Sequence, residues 1–156
     1  MKVSKGKNVT VKVCKEEKRH YVRMQRMCDV ACKVLRAFRI TNAELSICLV
    51  SNRSIRKLNR TYKGRNAFTD VLAFPIEVDT HPRRSTRIKL LGEVIISLDE
   101  TKKNARRFHT TFERELLLYV IHGILHILGY DDEVRSHRIR MERKQQELFQ
   151  KIVIKK

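Results

Sequence analysis

Hydrophobic and polar positions alternate with two different periods along this chain, and the changes of period mark out its elements. Val9, Val11 and Val13 interleave with Thr10, Lys12 and Cys14, the alternation that a half-buried strand requires. From about residue 19 to 38, Val22, Met27, Val30, Val34 and Leu35 recur at helical spacing and predict an amphipathic helix. Residues 44–50 read as a second strand, after which Ser51 or Asn52 is placed to cap a short helix carrying Ile55 and Leu58. A turn-like run from Lys63 to Asn66 leads into an extended segment over 69–78, which Pro75 limits or confines to a sheet edge. Residues 90–96 give another strand pattern, with Gly92 as a bulge or a point of close approach.

Beyond residue 97 the pattern turns helical. Ser97 with Glu100, and Thr110 with Glu113, are capping-box pairs that predict helix starts near 98 and 111. The second of these helices is apolar nearly all round as far as Gly129, so it belongs in the interior, and Gly129 suits the left-handed residue that closes a helix. A last helix over 134–152 places Val134, Met141, Leu148 and Ile152 on one stripe, and residues 80–89 form the one polar, proline-containing loop. These elements predict an α/β (α+β) chain with a single domain over residues 1–156. Its small mixed sheet of about four strands packs against helices.

A chain of 156 residues with 42% hydrophobic positions is long enough to bury a core. The formal net charge of +18 must be held near something anionic or be tolerated as self-repulsion. Basic residues concentrate at 2–18, 83–89, 102–107 and 135–144, a distribution that favours a polyanion such as RNA, bound with strongly salt-dependent affinity. No apolar run approaches the length of a membrane span, and the first residues lack the uninterrupted apolar core of an export signal. Cys14, Cys28, Cys32 and Cys48 lack zinc-knuckle spacing and are expected to be reduced, which places the protein in the cytoplasm.

The chemistry concentrates in the interior helix. His122 and His126 are four residues apart, so both imidazoles lie on one face and reach one ion; Asp132, beyond the turn at Gly129, offers a carboxylate to the same ion. A lone histidine on an apolar helix is more often a hydrogen-bonded core residue, but burying two without a common partner is costly. Three protein ligands leave a position open for water, which a divalent ion acidifies. Gly123 stands where zinc peptidases of the H-E-x-x-H type carry their general base, so peptide hydrolysis is disfavoured.

The segment HGILHILGYD over residues 122–131 resembles the H-G-x-L-H-L-x-G-Y-D-H signature of the YbeY family. The segment LNRTYKGRNAFTDVLAFP over 58–75 is similar to that family's L-N-x-x-Y-R-x-K-D-x-P-T-D-V-L-S-F-P block, and LGEVIIS over 91–97 to its L-G-D-I-x-I-S strand. Met141 and Glu142 fall where the family has a Met-Glu pair. The resemblance implies a single-strand-specific, metal-dependent endoribonuclease. It would act in rRNA maturation at the 3′ end of the small-subunit rRNA and in ribosome quality control, with one zinc-type ion over a basic cleft. It further implies His122, His126 and Asp132 as metal ligands, with aspartate standing where the family usually has a third histidine. His137 or Asp131 would be the alternative third ligand. Lys63 occupies the position of a functional arginine and is expected to contact phosphate, with Arg60 and Arg65 as neighbours sharing the role, the alternative being a solvated loop lysine; Asp131 is expected as a base or as the residue that orients a ligating histidine. Asn66, Ala67 and Phe68 depart from the family's K-D-x-P pattern. The rival expectation is a non-enzymatic rRNA-binding assembly factor with a structural metal.

Overall fold

A computed structural model describes residues 1–6, 8–76 and 88–155. Five strands, β1 (Lys2–Gly6), β2 (Val9–Lys15), β3 (Ala43–Val50), β4 (Val71–Pro75) and β5 (Lys89–Ser97), form one mixed sheet in the order β1-β2-β3-β5-β4. The central three run parallel and the two edge strands antiparallel. The strand beyond the four expected is β1, which pairs with β2 from Lys2 opposite Val13 to Gly6 opposite Val9. The loop read at 80–89 lies largely outside the described residues, and the extended segment read to 78 is described as strand as far as Pro75, at the sheet edge.

The parity of each strand divides its side chains between two cores. Leu45, Ile47 and Leu49 of β3, with Val94 and Ile96 of β5, join Val9, Val11 and Val13 in the main core. The helices α1 (Met24–Ala37), α4 (Phe112–Ile127) and α5 (Arg135–Phe149) close over that face, and α5 continues as a π-helical turn over Gln150–Ile154. Cys48, Val50, Leu72 and Ile95 point to the other face, where Ile55 and Leu58 of α2 (Asn52–Lys63) meet them. The helix α3 (Leu98–Arg107) follows β5 directly, and Ser97 caps it by accepting from the Glu100 backbone N–H at 3.2 Å. The cap of α4 is Thr111, one residue later than its capping box suggests.

A polar network fixes where α2 begins. Asp99 accepts from the Asn52 backbone N–H at 2.7 Å and from Arg19 Nη2 at 2.6 Å, and Ser97 Oγ donates to Asn52 Oδ1 at 2.7 Å. Arg19 also donates to the buried Glu17, which takes the backbone N–H groups of Arg19 and His20 as well. Residues 17–20 are therefore committed to this network, and α1 starts at Met24, later than the residue 19 suggested by the helical pattern. Cys28 and Cys48 are buried, and that burial pushes their thiols up to about 11 and about 12 respectively.

Candidate metal centre and its basic surroundings

The interior helix α4 carries the histidine pair on its last two turns. Helix formation there is secured by the Thr111 cap and a nearly continuous apolar surface; Leu116, Leu117, Val120, Ile121, Ile124 and Leu125 are all buried. Gly123 lets this helix lie against the sheet, since a Cβ at that position would stand 2.3 Å from Val94 Cγ1 of β5. At its C-terminus the Gly129 N–H donates to the His126 carbonyl at 3.1 Å and the Tyr130 N–H to the Leu125 carbonyl at 3.0 Å, with Gly129 at φ +97°. That is a Schellman closure, which needs a residue free to adopt positive φ.

The closure does more than end the helix. It turns the Tyr130 carbonyl back onto His126 Nδ1, at 3.1 Å. A carbonyl only accepts, so the His126 proton sits on Nδ1 and leaves Nε2 with a bare lone pair. His122 is held the same way, with Nδ1 2.6 Å from Gln145 Oε1 on α5. The two Nε2 atoms then face each other at 3.1 Å, their ring planes 78° apart. Two lone pairs at that distance repel unless a proton or a cation lies between them. A proton is disfavoured, because burial lowers the His126 pKa, with His122 adding to the effect, and the opposing carboxylate of Asp132 does not reverse it. Asp132 Oδ2 lies 3.9 Å from His126 Nε2, and one ligand atom from each of the three residues falls within 4.8 Å of the others. Two imidazole nitrogens and one carboxylate oxygen this close together suit a divalent ion of the zinc type, and three protein ligands leave a coordination position open.

Asp131 takes a different place from its neighbour. Its carboxylate lies 3.0 Å from His137 Nδ1 through either oxygen and accepts from the Glu133 N–H at 3.3 Å. The orienting positions on the two clamp histidines are filled instead by Tyr130 and Gln145. His137 is exposed on the first turn of α5 and pairs with Asp131, outside the three-residue group. Gln145 went unnoticed in the sequence. Its signal is a polar residue set between Met141 and Leu148 on the stripe that α5 buries.

Lys63 is the last residue of α2, closed by Gly64 at φ +66°. The end of α2 reaches edge strand β4, where the Tyr62 ring meets that of Phe74 at 5.3 Å, and the Lys63 charge is among those felt at His126. Arg60 lies one turn earlier and lines a groove along α2, while Arg65 is exposed just past Gly64. The structure thus gathers His122, His126 and Asp132 in one group and sets Lys63 within electrostatic reach, while Arg60 lines the α2 groove and Arg65 is exposed beyond Gly64.

The family model described as Endoribonuclease YbeY matches residues 7–153. Among curated proteins named Endoribonuclease YbeY, that of Anaeromyxobacter sp. is 41% identical over 140 residues, 90% of this chain and 70% of its own length. That of Persephonella marina is 40% identical over 117 residues, covering 75% of this chain and 71% of the relative. That of Myxococcus xanthus is 36% identical over 91% of this chain, which spans only 47% of that longer protein. A solution structure of a Thermotoga maritima protein superposes with a TM-score of 0.58 at 27% identity, over 90% of each chain. Because the family match takes in α2, β5 and the whole of α4 with its histidine clamp, the chain belongs to the YbeY endoribonuclease family.

Proposed function

We propose that this protein is a cytoplasmic, metal-dependent endoribonuclease, one domain over residues 1–156, that cuts single-stranded RNA during rRNA maturation and quality control of the small ribosomal subunit. The observation that carries the reading is the pair of Nε2 atoms facing each other at 3.1 Å, each ring with its Nδ1 against an oxygen acceptor and with Asp132 beside them. His122, His126 and Asp132 would hold one zinc ion. When bound, such an ion acts as a Lewis acid toward a phosphoryl oxygen and lowers the pKa of a coordinated water.

The remaining work falls to the chain's own side chains. Lys63, with Arg60 and Arg65 on the approach, supplies positive charge to a backbone phosphate; lysine does so as a point charge without the two-donor fork of arginine. Asp131, held ionised by its hydrogen bond to His137, is the group available to take a proton beside the clamp. Burial holds the His126 imidazole below its ordinary pKa, which favours a cation over a proton at its Nε2. Gly123 leaves no carboxylate at the position that zinc peptidases use.

The test is cleavage of a single-stranded oligonucleotide copying the 3′ end of small-subunit rRNA, by wild-type protein and by His126→Ala protein purified identically. Zinc-dependent cutting by the wild type alone is expected, with Lys63→Ala slower and Lys63→Arg restored. Equal cutting by both proteins, or by neither, would overturn the reading in favour of a non-enzymatic assembly factor.

A further inference from the structure

A groove along α2 is separate from the metal clamp. It holds about 480 Å³ and is lined by Arg53, Arg56, Lys57 and Arg60 of α2, together with Asn66 and Phe68 of the following loop. The four cations fall at helical spacing on one side of α2, and Lys63 continues their stripe toward the clamp. No carboxylate pairs with Arg53, Lys57 or Arg60 among the described residues. Such a run of unneutralised charge on one helix face is stable only because it is solvated, and it attracts a polyanion.

The aromatic member makes the groove more than a charged surface. Phe68 is 51% exposed, which for an aromatic side chain forgoes burial energy, and Arg56 places its guanidinium 5.3 Å from the ring centroid. Arg56 is itself fixed, its Nε donating to Asn66 Oδ1 at 2.8 Å, so its terminal nitrogens remain available. In the segment similar to the YbeY block, Phe68 stands at the position that the family pattern gives as proline. A ring held beside a row of cations is the arrangement by which proteins stack a base while tracking the phosphates on either side.

We infer that the α2 groove is a single-strand-binding subsite, in which Phe68 stacks an unpaired base and Arg53, Lys57 and Arg60 hold the flanking phosphates, leading the strand toward Lys63 and the metal clamp. This rests on RNA being the substrate. From Arg56, which lies against the Phe68 ring, to Lys63 the helix rises about 10 Å, so a base stacked on Phe68 lies a short length of strand from Lys63. A duplex keeps its bases stacked on one another and has none to offer Phe68.

The experiment is fluorescence anisotropy with a labelled twelve-nucleotide oligouridylate and with heparin as competitor, in EDTA so that no cleavage occurs. Phe68→Leu is expected to weaken oligouridylate binding about tenfold while leaving heparin affinity within twofold, and Phe68→Tyr to retain wild-type affinity. Arg53→Gln with Lys57→Gln is expected to flatten the slope of log K against log salt by about 1.4, at about 0.7 per lost single-strand phosphate contact. All variants should bind zinc as the wild type does. Unchanged oligouridylate affinity in Phe68→Leu, or an equal loss toward heparin, would overturn the inference. A protein that binds through the groove yet cuts no RNA would sustain it while refuting the nuclease reading, and one that cuts RNA with unaltered binding in these variants would do the reverse.

Discussion

Replacing Gly123 by alanine perturbs the site at its foundation, because the only atom added points from the histidine helix into the sheet. The new Cβ would lie 2.3 Å from Val94 Cγ1, 3.1 Å from Cγ2 and 3.3 Å from Cβ. Carbon atoms rest about 3.5–4.0 Å apart, so one partner must retreat by about an ångström or more. Val94 is fully buried and β-branched, and both of its methyl groups face the intruder, so a change of rotamer gives no escape. Overpacking of this kind costs about 1–3 kcal/mol, against about 1 kcal/mol gained from the better helix propensity of alanine. The expected balance is a loss of up to about 2 kcal/mol, or a Tm lower by up to about 8 °C for a chain of this size. Because the strain is relieved by lifting α4, zinc affinity should fall as well. Urea unfolding and zinc titration of Gly123→Ala, Val94→Ala and the double variant measure this directly. The double variant should be more stable than the two single losses predict by about 1–2 kcal/mol, since the added methyl enters space that Val94 vacates. A Gly123→Ala protein as stable as wild type, with no coupling to Val94, would refute the steric argument.

Three other perturbations have equally definite outcomes. Gln145→Leu removes the acceptor of the His122 proton and should weaken zinc binding about 10–100-fold with little change in fold, as read by calorimetric titration and circular dichroism. Asp132→Ala should lower zinc affinity at least tenfold while His137→Ala leaves it unchanged; the opposite pattern would identify His137 as the third ligand. Burial opposes ionisation of Glu17, yet the N–H groups of His20 and Arg19 and both their side chains outweigh it and hold the carboxyl down at about 2, against an ordinary value of 4.5. A lowered folded-state pKa contributes stability that is present above about pH 4.5 and is lost as pH falls toward 2. Glu17→Gln should therefore be less stable than wild type by about 2–3 kcal/mol at pH 7 in urea unfolding, with the gap closing by pH 2.

The parts of the fold that the sequence made legible are those where burial imposes a period. Val9, Val11 and Val13, the all-round apolar α4 and the Ser97 cap follow directly from packing and from unsatisfied helix-end groups. The misses have physical causes as well. The edge strand β1 is held by backbone pairing to β2 and buries little, so its lysines and serine carry no alternation to read. The start of α1 shifted because Glu17 draws the backbone of residues 19 and 20 into its own hydrogen bonds, a long-range polar effect that no local pattern reveals. At the site, the spacing of His122, His126 and Asp132 was readable because a helix converts four residues into one face. What supports them was not: the Tyr130 carbonyl depends on the Schellman closure, and Gln145 arrives from a helix 23 residues away in sequence. Gly123 was legible only as a missing carboxylate, whereas the structure gives it a positive reason in the contact with Val94.

The central claim is that the face-to-face Nε2 atoms of His122 and His126 form a metal clamp. Long-range nitrogen–proton NMR of the imidazole rings, recorded on the metal-free protein at neutral pH and again on titration with zinc, addresses it most directly. Both histidines should show the Nδ1–H tautomer before zinc is added, and both Nε2 resonances should shift together, saturating at one equivalent. An Nε2–H tautomer at either residue in the metal-free protein, or Nε2 resonances unmoved by zinc, would contradict the account.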